Sequence, residues 1–462
     1  MRRGRLSVPP EVIATVMVLQ ALEGLSDRQA VRRLETDIAW KAAAGLALSD
    51  EAFHSTVLVL WRSKLRGSDR PQRIFDAIRA VMNASGVIAG KTRRALDSTV
   101  LDDAVARQDT IDLLATQIRR VRRLIGELAE VWVREENLAG GRPSCDWDDP
   151  DDIDRVISEL VDDAYELIWA VEDLTDAGLV LAEVQADAVA LLALVAGQDV
   201  EPGDGPGQWR IAQRTARDRI ISTVDPESRH THKTAHAYRD GYKAHVAVEP
   251  ETGLVTDCDL TAGTMGDADA AAGLIETEPE GTEILADSAY GTGELRDHLA
   301  DTGKKATIKP PPLQPAVAGG FTLDDFDIDP DAGTATCPAG ITVTISRSRR
   351  ANFGRNCKTC PLRSQCTTAT KGRVIVLHPH HDLLTEARTQ AATDDFDAVY
   401  RRWRPMVERS LAWLTRGTNR KLPYRGTERN QLWWSHRCAA VNLQRMLTLG
   451  LNLDPAGNWA TT

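Results

Sequence analysis

The chain has 462 residues, about three times a typical single domain, with 42% hydrophobic and 27% charged residues, so two or three domains are expected. No apolar run reaches the ~18 residues of a membrane helix, and the opening Met-Arg-Arg-Gly-Arg lacks the apolar stretch of a secretory signal. Seven cysteines, four of them between Cys337 and Cys366, speak against a secreted disulfide scaffold and for a cytoplasmic chain with one local cysteine site.

The formal net charge of −11 does not exclude a polyanionic partner, because the charge is unevenly distributed. Between Ser144 and Asp204 eighteen acids face one base, Arg155. From Arg347 to Arg373 there are eight Lys/Arg and no acid, and from Arg401 to Arg445 eleven against Glu408 and Glu428. Such clustering calls for a partner to the basic surfaces.

In chain order, residues 9–84 predict four or five short helices, with Ser26 and Ser49 as N-caps. After Ser49, the residues Phe53, Val57, Leu58, Leu60, Trp61 and Leu65 make an apolar stripe at helical spacing. A short strand is expected within 86–101, with Asp97 near its end. Ile111–Glu136 predicts an amphipathic helix through Leu114, Ile118, Val121, Ile125, Leu128 and Val131, and Ile153–Ala196 is again helical. The acidic helical stretch reads as a solvated hairpin, a mask for the basic face, or a contact to a second protomer. From about 238 the period changes to two: Tyr242–Val248 and Leu254–Leu260 alternate around the turn Pro250–Gly253, a β-hairpin. A helix over Ala268–Ile275, a strand over Glu283–Asp287, a helix over Gly293–Ala300 and a strand over Lys305–Lys309 follow. Residues 313–372 are loop-rich, Arg373–Leu377 is a candidate strand, Asp394–Leu414 predicts one helix, and the tail to about Leu449 is helical. The fold class is mixed α/β with helical and cysteine-containing insertions.

Three acids suit metal-assisted phosphodiester chemistry, which needs paired hard cations and oxygen ligands. Asp97 and Asp287 end apolar strands, and Glu408 shares a helix face with Arg404 and Tyr400. Taken singly, each aspartate also fits a turn or cap. The spacing of Cys357, Cys360 and Cys366, with Cys337 upstream, fits a structural Zn²⁺ knuckle; a disulfide pair, or His378, His380 or His381 replacing one ligand, are the alternatives. His245 and Lys243 lie on the hairpin strand beside that of Asp97, where a histidine is a structural residue or a catalytic one. Trp403, Trp413, Trp433 and Trp434 belong to a core, or one of them stacks on an extruded base.

The words Ala95-Leu-Asp-Ser-Thr-Val100, Gly241–Leu254, Ile284-Leu-Ala-Asp-Ser-Ala-Tyr-Gly291, Arg404-Pro-Met-Val-Glu-Arg409, Tyr424–Asn430 and Ala439–Met446 occur in that order. This string resembles the DDE transposases of bacterial insertion sequences, in the branch with a helical N-terminal domain and a cysteine knuckle before the final Glu. The resemblance implies a ribonuclease-H-like catalytic core, with Asp97, Asp287 and Glu408 binding catalytic Mg²⁺ or Mn²⁺. It divides the chain into a helical, DNA-binding N-terminal domain (1–85), core segments (86–101 and 238–312), an acidic helical insertion (102–237), a cysteine-rich insertion (313–372) and a final core segment (373–450). The family's Tyr-Arg-Glu-Lys signature is partly kept: Tyr400, Arg404 and Glu408 are present, with three residues between Tyr and Arg instead of two, and Arg416 stands one place later than the family's base. DNA contacts are expected from Lys243, His245, Tyr400, Arg404, Arg416, Arg420, Lys421 and Arg425. The implied activity is cleavage at element ends and strand transfer into target DNA, by a homodimer or larger assembly on nucleoid DNA, with no membrane partner. A metal-dependent nuclease that does not join, or an inactive DNA-binding derivative, are the alternatives.

Overall fold

The computed structural model describes residues 7–126, 133–214, 216, 218–234 and 237–461. Five helices open the chain: α1 (Pro10–Glu23), α2 (Asp27–Thr36), α3 (Ile38–Ala43), α4 (Thr56–Arg66) and α5 (Arg73–Ala84). Ser26 caps α2 as expected, in a capping box with Gln29. Ser49 caps nothing. The Asp50 carboxylate turns the chain at Ala47, and His54 Nδ1 accepts from the Thr56 amide where α4 begins. The stripe accordingly narrows: Leu58 and Leu65 are buried, Val57 and Trp61 pack at the edge, and Leu60 faces outward.

Strand β1 (Arg93–Asp102) runs well past Asp97, which lies mid-strand and not at its end. The insertion follows: α6 (Thr110–Ile125), α7 (Glu135–Leu138), α8 (Pro150–Asp176), α9 (Glu183–Gln198) and the small hairpin β2 (Val200–Pro202) and β3 (Trp209–Ile211). Leu114, Ile118, Val121 and Ile125 meet Leu160, Val161, Leu167, Leu192 and Val195 in a core of the insertion's own. The expected positions Leu128 and Val131 lie outside the described residues.

The main sheet then forms from β4 (Arg229–Thr234), β5 (Ala237–Glu249), β6 (Leu254–Ala262), β7 (Glu283–Ala286) and β8 (Lys305–Ile308), with α10 (Asp267–Leu274) and α11 (Gly293–Asp301) between the later strands. Its order is β4-β5-β1-β7-β8, with β6 also paired to β5. The hairpin, both helices and both late strands fall where the sequence predicts them. β4 was not expected: it lies inside the predicted insertion, so the chain rejoins the sheet about ten residues early. Strands β6, β5 and β1 are antiparallel, whereas β1, β7 and β8 are parallel.

The cysteine-rich unit carries β9 (Asp327–Asp329), β10 (Thr334–Thr336), β11 (Thr342–Thr344), β12 (Arg350–Asn352), α12 (Arg363–Cys366) and β13 (Val374–Val376). Phe326, Phe353, Ile375 and Leu377 close a small core around Cys357 and Cys366. Next come α13 (His381–Ala391), α14 (Asp394–Trp403), α15 (Pro405–Leu414), α16 (Thr427–Thr448) and the end hairpin β14 (Leu451–Leu453) and β15 (Trp459–Thr461). The single helix expected over Asp394–Leu414 is divided at Arg404–Pro405. Proline has no N–H for the helix ladder and sits comfortably only in a first turn, where Pro405 stands. Arg404 keeps helical angles, φ −59° and ψ −36°, so α15 continues α14 with a bend.

Helices α1, α2, α4, α15 and α16 cover one face of the sheet, and their residues share a core with Ala95, Leu101, Tyr242, Val246 and Leu285. The N-terminal helices thus pack into the sheet's core. On the other face α10 and α11 meet Leu96, Ala247, Ile284 and Ala286. Trp434 is fully buried, and Trp403, Trp413 and Trp433 pack at the edge of the larger core. No helix among the described residues is long and apolar enough to cross a membrane.

Candidate active site

Side chains alternate across a strand, so Ala95, Asp97, Thr99 and Leu101 project toward α15 and α16, while Leu96, Ser98 and Val100 face α10. β1 and β7 are parallel with Ala95 opposite Leu285. Two residues on, the same register brings Asp287 level with Asp97 and onto the same face. Asp97 accepts from the Ser98 amide at 2.9 Å, and Asp287 accepts from the Ala289 amide at 2.9 Å as it caps a short turn. The start of α15, at Arg404–Pro405, then packs over β1 and β5.

What the bend delivers is Arg404, whose side chain is 5% exposed. Its Nη2 lies 3.2 Å from Asp97 and 3.8 Å from Asp287, and its Nη1 lies 3.5 Å from Glu408. Three acids from distant stretches of the chain therefore converge on one guanidinium. Asp97 is the deepest; Asp287 and Glu408 are 46% and 68% exposed and open to solvent. Burial raises the Asp97 pKa; Arg404 and the Ser98 amide oppose this, and the other two carboxylates add to it.

Other predicted residues are placed as follows. Tyr400 is half-buried next to the acids, stacked on Phe396 at 5.7 Å between ring centroids, with burial raising its pKa. Arg420 is half-buried, 3.5 Å from the Thr99 hydroxyl. Lys421 is exposed beside the end of β1, where the Leu422 amide donates to the Asp102 carbonyl at 2.8 Å. Arg416 and Arg425 are exposed.

Three expectations need correction. Arg404 does not face outward to a phosphate; its guanidinium is turned in among the carboxylates. His245 is fully buried on the α10 side of the sheet, where Nε2 meets the Thr261 hydroxyl at 2.9 Å, and burial lowers its pKa to about 4. A neutral, enclosed imidazole there cannot meet DNA. Lys243, on the same side, donates to the Met265 carbonyl at 2.6 Å and lies 3.4 Å from Asp267.

The sequence reading assigned no role to Lys309 or Tyr290. Lys309 follows β8 as Asp287 follows β7, since Ala286 pairs with Ile308, and its ammonium sits 4.4 Å from the Tyr400 ring centroid. Its position one residue past the strand, before three prolines, was the available signal. Tyr290 is buried with an unpaired hydroxyl, and the field of Asp267, Asp97 and Asp287 adds to burial in raising its pKa.

Cys337, Cys357, Cys360 and Cys366 line one small cavity with Phe321, Phe326 and Phe353. The Arg373 amide points at Cys357 Sγ from 3.4 Å, and burial raises the Cys366 pKa, with the other three sulfurs adding to the shift. All four are free thiols, so no disulfide forms. Among the described residues, no three His, Cys, Asp or Glu side chains are gathered closely enough to share a metal ion. At the acids, the Arg404 guanidinium occupies the space between them.

Two family models match the chain. One, described as transposase DDE domain, spans residues 336–447 and so includes the cysteines, Tyr400, Arg404 and Glu408. The other, described as transposase domain (DUF772), spans residues 1–64, the first four helices. These two stretches are similar to transposase domains. No curated protein and no solved structure matches it. Asp97 and Asp287 lie outside both matched spans, and only the folded chain brings them to Glu408.

Proposed function

We propose that this transposase cuts DNA at the ends of a mobile element and joins the freed 3′-hydroxyl to target DNA, using Mg²⁺ or Mn²⁺ held by Asp97, Asp287 and Glu408. The observation that carries the reading is the convergence of these acids on Arg404. Their chemistry fits hard divalent cations, which take carboxylate oxygens. Three carboxylates against one guanidinium leave an excess of negative charge, which divalent cations would offset. When bound, such ions activate the attacking oxygen and stabilise the leaving one.

The chain's own residues have distinct tasks. Asp97 is the fixed ligand, anchored mid-strand by the Ser98 amide. Asp287 is oriented by its turn, and Glu408 is the outermost and most exposed of the three acids. Lys309, Tyr400, Arg420 and the exposed Arg416, Lys421 and Arg425 form a rim for the DNA backbone, so binding weakens as salt rises. A mixed sheet that carries Asp97 within β1 and Asp287 just past the neighbouring β7 supports a ribonuclease-H-like core.

In the cysteine-rich unit four thiols around one cavity suit a structural Zn²⁺ held by Cys337, Cys357, Cys360 and Cys366. The exposed Arg347, Arg355, Lys358 and Lys371 of that unit would meet phosphates. The N-terminal helices bind DNA, and the active form is a homodimer or larger assembly on nucleoid DNA in the cytoplasm.

The test is Asp287→Asn with element-end duplexes. Nicking is abolished while end binding persists; equal nicking by variant and wild type dismisses the assignment. In a plasmid-integration assay, cleavage without joined product would make the protein a nuclease.

A further inference from the structure

Arg404 is an unusual buried arginine. At 4% exposure it is almost wholly withdrawn from water, yet its Nε and Nη1 have no hydrogen-bond partner. The three carboxylates lie at 3.2, 3.5 and 3.8 Å, ion-pair distances that leave two nitrogens of its planar fork, Nε and Nη1, unsatisfied. A buried guanidinium is normally matched by paired acceptors, since each donor left unmade is costly in a dry site. Here opposite charge is present in excess, but matched hydrogen-bond acceptors are not. Such an arginine is held by electrostatics alone and is ready for an acceptor that offers several oxygens at once.

We infer that Arg404 is an internal cation that holds Asp97, Asp287 and Glu408 together in the free protein, and that divalent-ion loading displaces it toward a DNA phosphate. The inference rests on the metal reading of these acids given above. A guanidinium and a divalent cation compete for the same negative charge, so each weakens the other. Linkage makes the coupling reciprocal: a phosphate that draws Arg404 away tightens ion binding by the factor with which the ion tightens phosphate binding. The protein alone would then hold its ions weakly, and together with DNA it would hold them tightly. Arg404 is a positioning residue in this scheme, acting through the carboxylates. Its backbone lies at the junction of α14 and α15, directly before Pro405.

The experiment titrates Mn²⁺ calorimetrically into DNA-free wild type, Arg404→Gln, Arg404→Lys and Asp287→Asn, counting only binding that Asp287→Asn abolishes. Arg404→Gln should bind Mn²⁺ about tenfold tighter than wild type, within the usual range of site-to-site coupling. Arg404→Lys, which keeps the charge, should stay near wild type. Equal affinity in wild type and Arg404→Gln overturns the inference and leaves the metal reading intact. Absence of any Asp287-dependent binding in either protein overturns the metal reading and the inference with it. Should Arg404→Gln not fold, wild type decides alone: a short duplex should tighten Asp287-dependent Mn²⁺ binding about tenfold, and an unchanged affinity overturns the inference.

Discussion

Arg437 of α16 and Leu414 at the end of α15 are joined by a buried hydrogen bond, Nε to carbonyl, at 2.9 Å. The same guanidinium reaches the carbonyls of Trp413 at 2.9 Å, Ala21 at 2.7 Å and Leu22 at 2.9 Å. One cation therefore caps the C-terminal ends of two helices, α1 and α15, where unsatisfied carbonyls and the helix dipole both favour positive charge. It ties the N-terminal helices to the helix that carries Glu408. Four charge-assisted bonds in a site 4% exposed are hard to replace.

Arg437→Met should therefore lower unfolding free energy by about 3 kcal/mol or more, because two buried and two partly buried carbonyls lose their donor. Arg437→Lys should recover only part, since an ammonium cannot span the planar fork. Urea midpoints at constant slope measure both, and a Met variant within 0.5 kcal/mol of wild type, about the scatter of a surface substitution, would contradict the capping role.

Asn442 on α16 uses its side-chain amide as a strand would use its backbone. Its Oδ1 accepts from the Val255 amide at 2.8 Å and its Nδ2 donates to the Val255 carbonyl at 2.7 Å. Both backbone groups lie on β6, and the pair is fully buried. Asn442→Asp replaces the donor with a second acceptor facing a carbonyl, and Asn442→Leu strands both backbone groups. Each should cost roughly 1–3 kcal/mol. Hydrogen exchange at Val255 gives a local readout: protection retained in the Leu variant would refute the pairing.

Legibility followed the kind of signal each element carries. The hairpin β5–β6 was readable from apolar alternation and the strand before Asp287 from a short apolar run, both local properties. The convergence of Asp97, Asp287 and Glu408 was readable from motif order, although β1 extends to Asp102. β4 was not, because Arg-His-Thr-His-Lys-Thr has no apolar alternation and pairs through its backbone to the N-terminal part of β5. The direction of Arg404 was also hidden. Helical spacing put it on one face with Glu408 but said nothing of depth, which the bend at Pro405 sets. Which of the two readings of His245 holds was hidden too, because its strand is buried on both faces and alternation does not tell rim from core.

The cysteine-rich unit yields a prediction on metal content. Its core is small, built on Phe326, Phe353, Ile375 and Leu377, and small cores usually need a staple. Protein purified without chelator should contain about one zinc per chain, and Cys357→Ser should lose it, since a structural site needs its four ligands. The loss should expose the unit to proteolysis while α1–α5 stay protected. Elemental analysis with limited proteolysis checks both, and zinc content unchanged by Cys357→Ser would remove this site.

Two buried histidines make stability depend on pH in a defined direction. Burial lowers His245 to about 4 and His436 to about 3, well below the ~6.5 of an exposed imidazole. Between those values the unfolded chain binds more protons than the folded one. Their contribution is therefore intact above pH 6.5 and declines as pH falls toward the folded values. Asp257 runs the other way, because burial raises its pKa to about 6. Below that the folded chain holds the extra proton, so acidification through pH 6 favours the fold until the unfolded carboxyl also protonates. A wild-type profile mixes these opposing contributions, and variants separate them. Between pH 7 and pH 5, His436→Gln and His245→Asn should each flatten the loss of stability by on the order of 1–2 kcal/mol, whereas Asp257→Asn should steepen it. Urea midpoints across that range, at fixed ionic strength, are the measurement. A His436→Gln profile parallel to wild type would mean that His436 is already protonated in the fold, which its enclosure beside Arg62 argues against.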